Sequence, residues 1–208
     1  KKVTIRPLGK NKKVFKSENR RIKSKKKKNK ILSLGRISPV KNIHIMIEAA
    51  RILKERGVNF VLNIVGDPVN PEDFRYFEKL KTDAGELLNA KIINFLPAVS
   101  NNQTPNIYNQ HDIFINLTPT GSFDKTILEA GASGCIPIVA NQSLIGEIDS
   151  TMIVTDITPQ NVSINIAFWL EAHDDLKTEE RGRLCKYVLE KHSLSALILK
   201  LYDVIYKS

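Results

Sequence analysis

The stretch ILSLGRISPVKNIHIMIEAARILKERGVNFVLNIVG (Ile31–Gly66) decides the fold. Its opening, ILSLG (31–35), is a short apolar strand ended by glycine. Residues 41–56 set Ile43, Met46, Ile47, Ala50 and Leu53 at helical spacing, and Gly57 stops that helix. NFVLNIVG (59–66) is a second apolar strand, again ended by glycine. A strand, a helix and a strand in so short a span form the repeating unit of a parallel sheet.

Outward from this unit the alternation continues. A helix with Phe74, Phe77 and Leu80 on one face covers 72–83, and KIINFL (91–96) is the third strand. A short helix over Thr104–Gln110 leads to DIFINLT (112–118), the fourth strand. A helix over Lys125–Ser133 leads to CIPIVA (135–140), the fifth, and TMIVT (151–155) is expected as a sixth. Helices follow over 159–176, 178–191 and 194–206. Upstream, VTIRPLG (3–9) reads as a short strand and turn. Strands apolar along their whole length must be covered on both faces. The fold class is therefore α/β: a Rossmann-like parallel sheet with helices on both faces. In such sheets ligands bind beyond the carboxyl ends of the strands, so the loops after strands one, three and four are the ones to inspect.

The 208 residues carry a formal charge of +10, unevenly spread. Residues 1–30 hold fifteen Lys/Arg and one acid, Glu18, whereas 31–208 hold seventeen basic and twenty-one acidic residues. The chain thus divides into a basic linker (1–30) and a mildly acidic folded domain (31–208). The run KSKKKKNK (23–30) would add affinity for an anionic membrane or for nucleic acid. With Phe15 as the one aromatic of residues 1–30, the basic segment lacks stacking partners for bases, so nucleic acid is not expected, and a solvated linker is the plainer reading. The two cysteines, Cys135 and Cys185, are too few for a disulfide scaffold, and Cys135 lies in an apolar run. No signal peptide and no membrane-spanning stretch is read, so a cytoplasmic protein is expected, peripheral at the inner membrane surface if the basic segment binds it. The sequons at Asn116, Asn141 and Asn161 are taken as chance.

The loop GRISPVKN (35–42) sets Arg36 and Lys41 beside a helix start, where cations and free N–H groups make an anion site. A lysine there opposes the helix dipole and needs a reason to be present. In TPTGSFDKTILEAGASG (118–134), Gly121 and Ser122 permit close backbone approach and Asp124 opens a helix. Glu129, about one turn inside it at ~1.5 Å per residue, can reach a pair of hydroxyls. Taken alone, Asp124 reads better as a helix cap and Glu129 as one more surface acid. His44, His111, His173 and His192 show no metal-ligand or nucleophile–base spacing. No metal or cofactor is expected. VGDP (65–68) has one glycine where a dinucleotide fingerprint needs three, and no P-loop occurs.

These pieces, in this order, resemble the C-terminal domain of glycosyltransferase family 4 (group 1), the second half of a GT-B fold. GRISPVKNIHIMIEAARIL resembles the family's G-R-x-x-x-x-K-G stretch, and GSFDKTILEAGASGCIPIVAN its signature. HSLSALILKLYDVIYKS (192–208) resembles the terminal helix that returns to a partner domain, and VTIRPLG the interdomain segment. The resemblance implies that Arg36 and Lys41 neutralise the diphosphate of a nucleoside-diphosphate sugar, and that Glu129 binds the ribose hydroxyls. Backbone at Ala98 and Val99 would meet the base, while Gly35, Gly121, Ser122, Phe123, Asp124 and Lys125 would line the phosphate and sugar end. It further implies retaining transfer of a hexose to a glycan or lipid-linked acceptor, as in polysaccharide, lipopolysaccharide or capsule synthesis. An N-terminal acceptor domain would then lie outside this chain, leaving donor binding with little turnover. A GT-B-type nucleotide-sugar epimerase shares the same half and is the alternative enzyme. Two departures stand out: Gly121 occupies the place of the signature's first Glu, and Asn42 that of the Gly after the motif lysine.

Overall fold

The computed structural model describes residues 28–119 and 124–193. Five strands are present: β1 (Asn29–Leu34), β2 (Phe60–Val65), β3 (Ile93–Leu96), β4 (Ile113–Asn116) and β5 (Ile136–Val139). All neighbouring strands pair in parallel, in the order β3-β2-β1-β4-β5. The chain runs outward from β1 in one direction to β3, then crosses to β4 on the other side of β1. The divide between β1 and β4 is therefore the switch point at which sheets of this kind open a ligand crevice.

Seven α-helices are described: α1 (Ile43–Glu55), α2 (Pro71–Asp83), α3 (Gly85–Asn89), α4 (Thr104–Tyr108), α5 (Lys125–Ala132), α6 (Pro159–Glu171) and α7 (Asp174–Lys191). α1 packs on α6 and α2, while α5 packs on α7 and α4. The α1 face buries Ile43, Met46, Ile47, Ala50 and Leu53, the residues that the periodicity assigns to it. β4 and β5 are buried throughout, as a strand covered on both faces requires. Trp169 is core on α6, and Cys135 is a buried free thiol whose Sγ donates to the Tyr108 carbonyl at 3.0 Å. Burial pushes that thiol up to about 12. Asn116 and Asn141, two of the three sequon residues, are buried.

The structure corrects the expected organisation in three places. The sixth strand is reduced to one bridge, Val139 with Ile153. Asp149 caps a 3-10 turn at Ser150–Met152, and the N–H groups of Met152 and Ile153 go to local carbonyls, so Val154 N–H alone reaches across to Val139. The helix expected over 159–176 ends at Glu171, because Ala172 and His173 are extended and His173 caps a new helix at Asp174. Asp174 and Asp175 in that first turn suit its dipole, a start signal that apolar spacing does not carry. The short helix α3 completes the α2–β3 connection and was not expected. The strand at 3–9 and the helix at 194–206 fall outside the described residues.

Candidate functional site

Three loops at the carboxyl edge are laced together by backbone. Gly35 N–H donates to the Val65 carbonyl (3.0 Å), Ile37 N–H to the Asp67 carbonyl (3.1 Å) and Gly66 N–H to the Leu96 carbonyl (3.0 Å). The first two loops cross where Gly66 has φ +152°, and a Cβ there would sit 1.9 Å from the Gly35 carbonyl oxygen. Only glycine permits that approach. The Asp67 carboxylate accepts from Ala98 N–H at 3.1 Å, which ties in the loop after β3.

Lys41 closes the loop after β1. Its Cε passes 3.9 Å from where a Gly35 Cβ would be, and its ammonium donates to Asp124 Oδ2 at 2.7 Å. Asp124 caps α5: its Oδ1 accepts from the Thr126 N–H (3.1 Å) and hydroxyl (2.7 Å). Its Oδ2 also accepts from Asn116 Nδ2 at 2.7 Å. Burial works to raise the Asp124 pKa, but the bonds from Lys41, Thr126 and Asn116 and the Lys41 charge outweigh it and bring it to about 2. The lysine that opposes a helix dipole thus has its reason, a carboxylate across the switch point.

Asn42 holds the turn between Lys41 and α1 with φ 51°, ψ 38°, a left-handed conformation that asparagine adopts more readily than most residues other than glycine. Its Nδ2 donates to the Leu117 carbonyl at 2.9 Å, a second tie between the β1 and β4 loops. The departure from the family glycine therefore preserves the backbone and adds a bond.

Arg36 goes the other way. Its Nε lies 3.7 Å from Asp73 Oδ2 in the first turn of α2, and its side chain is half exposed while Asp73 is buried. Arg36 and Lys41 share a loop but engage different acids on opposite sides of β1. Glu129 lies half-buried on α5, one turn beyond Lys125, and its charge is felt by the fully buried Tyr108 hydroxyl. Burial first, then the Glu129, Cys135 and Asp124 charges, push that phenol far up, so it stays neutral. Through Tyr108, Glu129 and Asp124 belong to one neighbourhood.

The remaining expected residues are placed as follows. Lys125 is the exposed first residue of α5; Ala98 is exposed, with its N–H held by Asp67; Val99 packs partly against the core. Gly121, Ser122 and Phe123 fall outside the described residues. Asn116, Thr126, Asp73, Asp67 and Tyr108 hold the site's cations, acids and loops and were not singled out from sequence. A polar residue ending an otherwise apolar strand, as Asn116 does, is the signal that was available. His111 is structural, bonded to the Ile107 carbonyl at 2.7 Å and to Asn63 at 2.9 Å. Among the described residues no group of three His, Cys, Asp or Glu could hold a metal ion, and no helix is long and apolar enough to cross a membrane.

The model of the family described as glycosyl transferases group 1 matches residues 15–150. A putative colanic acid biosynthesis glycosyltransferase, WcaL, from Escherichia coli (strain K12) is 27% identical over 168 residues, covering 77% of this chain and 40% of its own length. The chain thus spans well under half of that curated relative. The crystal structure of the C-terminal domain of a glycosyl transferase group 1 family protein (LpcC) from Francisella tularensis matches with a TM-score of 0.75 at 21% identity, covering 89% of this chain and all of that one. Anabaena Alr3699/HepE in complex with UDP and glucose matches with a TM-score of 0.69 at 18% identity, covering 87% of this chain and 49% of that one. At these identities the solved structures show a shared fold, that of a GT-B C-terminal domain.

Proposed function

Since the chain belongs to the group 1 glycosyl transferases, we propose that its β1/β4 crevice holds the diphosphate of a nucleoside-diphosphate sugar during transfer of a hexose to a glycan or lipid-linked acceptor, with retention of configuration. The observation that carries this reading is the Lys41–Asp124 pair across the switch point. The diphosphate replaces Asp124 as the partner of Lys41 and draws Arg36 from its long contact with Asp73. As the bond from the anomeric carbon to the diphosphate breaks, negative charge grows on the leaving oxygen, and the two cations stabilise it. No water-activating pair is needed for such a transfer, because positioning and leaving-group stabilisation supply the acceleration. Glu129 takes the ribose hydroxyls, held in place beside Tyr108. Asp124, freed from Lys41, supplies the carboxylate that the signature has at the position of Gly121, and it orients the donor sugar.

UDP is the first nucleotide to test, because the similar Anabaena protein was solved with UDP and glucose. Titration calorimetry of the chain with UDP, GDP, ADP and their glucose conjugates is expected to give saturable binding of one nucleoside diphosphate. Lys41→Ala is expected to weaken it about tenfold or more, as loss of a charge-assisted bond does. Absence of heat with every nucleotide refutes the site.

A further inference from the structure

The opposite, amino edge of the sheet carries a cavity of about 120 Å³. Asn29, Asp112 and Ile136 at the strand starts form its floor, Trp169 at the end of α6 one wall, and Lys177 and Arg181 of α7 the other. At ~30 Å³ per water it has room for about four waters, or for one tetrahedral oxyanion with a water.

Its buried hydrogen-bonding groups are unevenly matched. Trp169 is 1% exposed and its indole N–H has no partner among the described residues. The buried Nε–H of Arg181 has none either. Both groups can only donate. Arg181 comes no nearer than 3.8 Å to Asp112 Oδ1, and Asp112 Oδ2 already accepts from Lys30 N–H at 2.9 Å. Lys177 gives one N–H to the Leu170 carbonyl at 2.9 Å and has two left to give. Its ammonium is held below the usual lysine range by burial first, with the Arg181 charge adding to the effect and the Asp174 and Asp112 charges opposing it. Two cations and two acids thus line a cavity whose two buried groups without a partner among the described residues are both donors. An acceptor-rich anion between them would satisfy those donors.

We propose that this amino-edge cavity binds a small oxyanion of the phosphate or carboxylate class, held by the Trp169 indole N–H, the Arg181 Nε–H and the Lys177 ammonium. It is a site separate from the β1/β4 crevice, which lies at the other end of the strands. Asp112 and Asp174 at its walls limit the charge it accepts and favour a small, singly or doubly charged ion.

Trp169 is the chain's one tryptophan, so its emission reports the cavity directly. Inorganic phosphate and acetate are titrated separately at constant ionic strength held with chloride, followed by fluorescence and by calorimetry. A saturable change with either oxyanion, absent with chloride alone, is expected, and the stronger of the two assigns the class. Arg181→Lys keeps the charge but loses the Nε donor, and is expected to weaken binding about tenfold. Trp169→Phe, read by calorimetry, keeps the ring and loses the N–H, with an effect in the same direction. Lys41→Ala is expected to leave the Trp169 signal unchanged. The proposal is overturned if neither oxyanion gives a saturable response by either readout, which would mean that water fills the cavity. It is equally overturned if the response survives Arg181→Lys and Trp169→Phe but disappears with Lys41→Ala.

Discussion

Lys41 and Asp124 lie 83 positions apart in the chain and meet at 2.7 Å across the divide between β1 and β4. The pair stitches the loops after β1 and β4 together. It also presents one cation and one well-ionised acid at the place where a ligand of this fold enters.

Acid stability should register this pair. The folded Asp124 pKa, about 2, is below its ordinary 3.8. Its stabilising contribution is therefore complete above the unfolded value and disappears as pH falls from there through about 2. The shift is worth on the order of 2 kcal/mol. Urea midpoints of the wild type and Asp124→Asn, measured at steps from about pH 6 down to about pH 2, should differ most at the upper end and converge at the lower. A constant gap would show that the carboxylate is not ionised against Lys41.

Gly66→Ala should damage the fold more than its size suggests. The added methyl would meet the Gly35 carbonyl oxygen at 1.9 Å, and neither backbone can yield without breaking the lacing of the three loops. A loss of roughly 2–4 kcal/mol is expected by chemical denaturation. Gly57→Ala, where nothing lies within 4 Å, bears only the left-handed backbone penalty, about 1–2 kcal/mol.

Tyr108→Phe separates packing from positioning. The ring and its edge-on contact with Phe114 remain, so stability should change by less than about 1 kcal/mol. The hydroxyl beside Glu129 is lost. If Glu129 grips the ribose, UDP binding should weaken severalfold while inorganic pyrophosphate binding stays the same. Equal weakening of both would assign Tyr108 a general structural part instead.

Arg36→Ala should be nearly silent in stability, within about 0.5 kcal/mol, because its contact with Asp73 is long and half exposed. Asp73 keeps a bond from Val69 N–H at 3.3 Å. The same substitution should weaken nucleoside-diphosphate binding clearly in calorimetry. Unchanged affinity would remove Arg36 from the site and leave Lys41 as its cation.

The sequence by itself determined the alternation of apolar strands and amphipathic helices, and with it a parallel sheet whose carboxyl edge carries the proposed site. Those signals are local: a period, a stop at Gly57, an unbroken apolar run such as IPIV in β5. The same locality is why TMIVT read as a strand, since four β-prone residues in five do not reveal that Asp149 caps a 3-10 turn over Ser150–Met152. Tertiary structure alone decided which acid each cation meets. Arg36 and Lys41 are five positions apart on one loop, yet Asp73 takes one and Asp124 the other. Spacing along the chain cannot carry that pairing, because it depends on β1 lying between β2 and β4, and strand order is settled by how whole helices bury their apolar faces against the sheet.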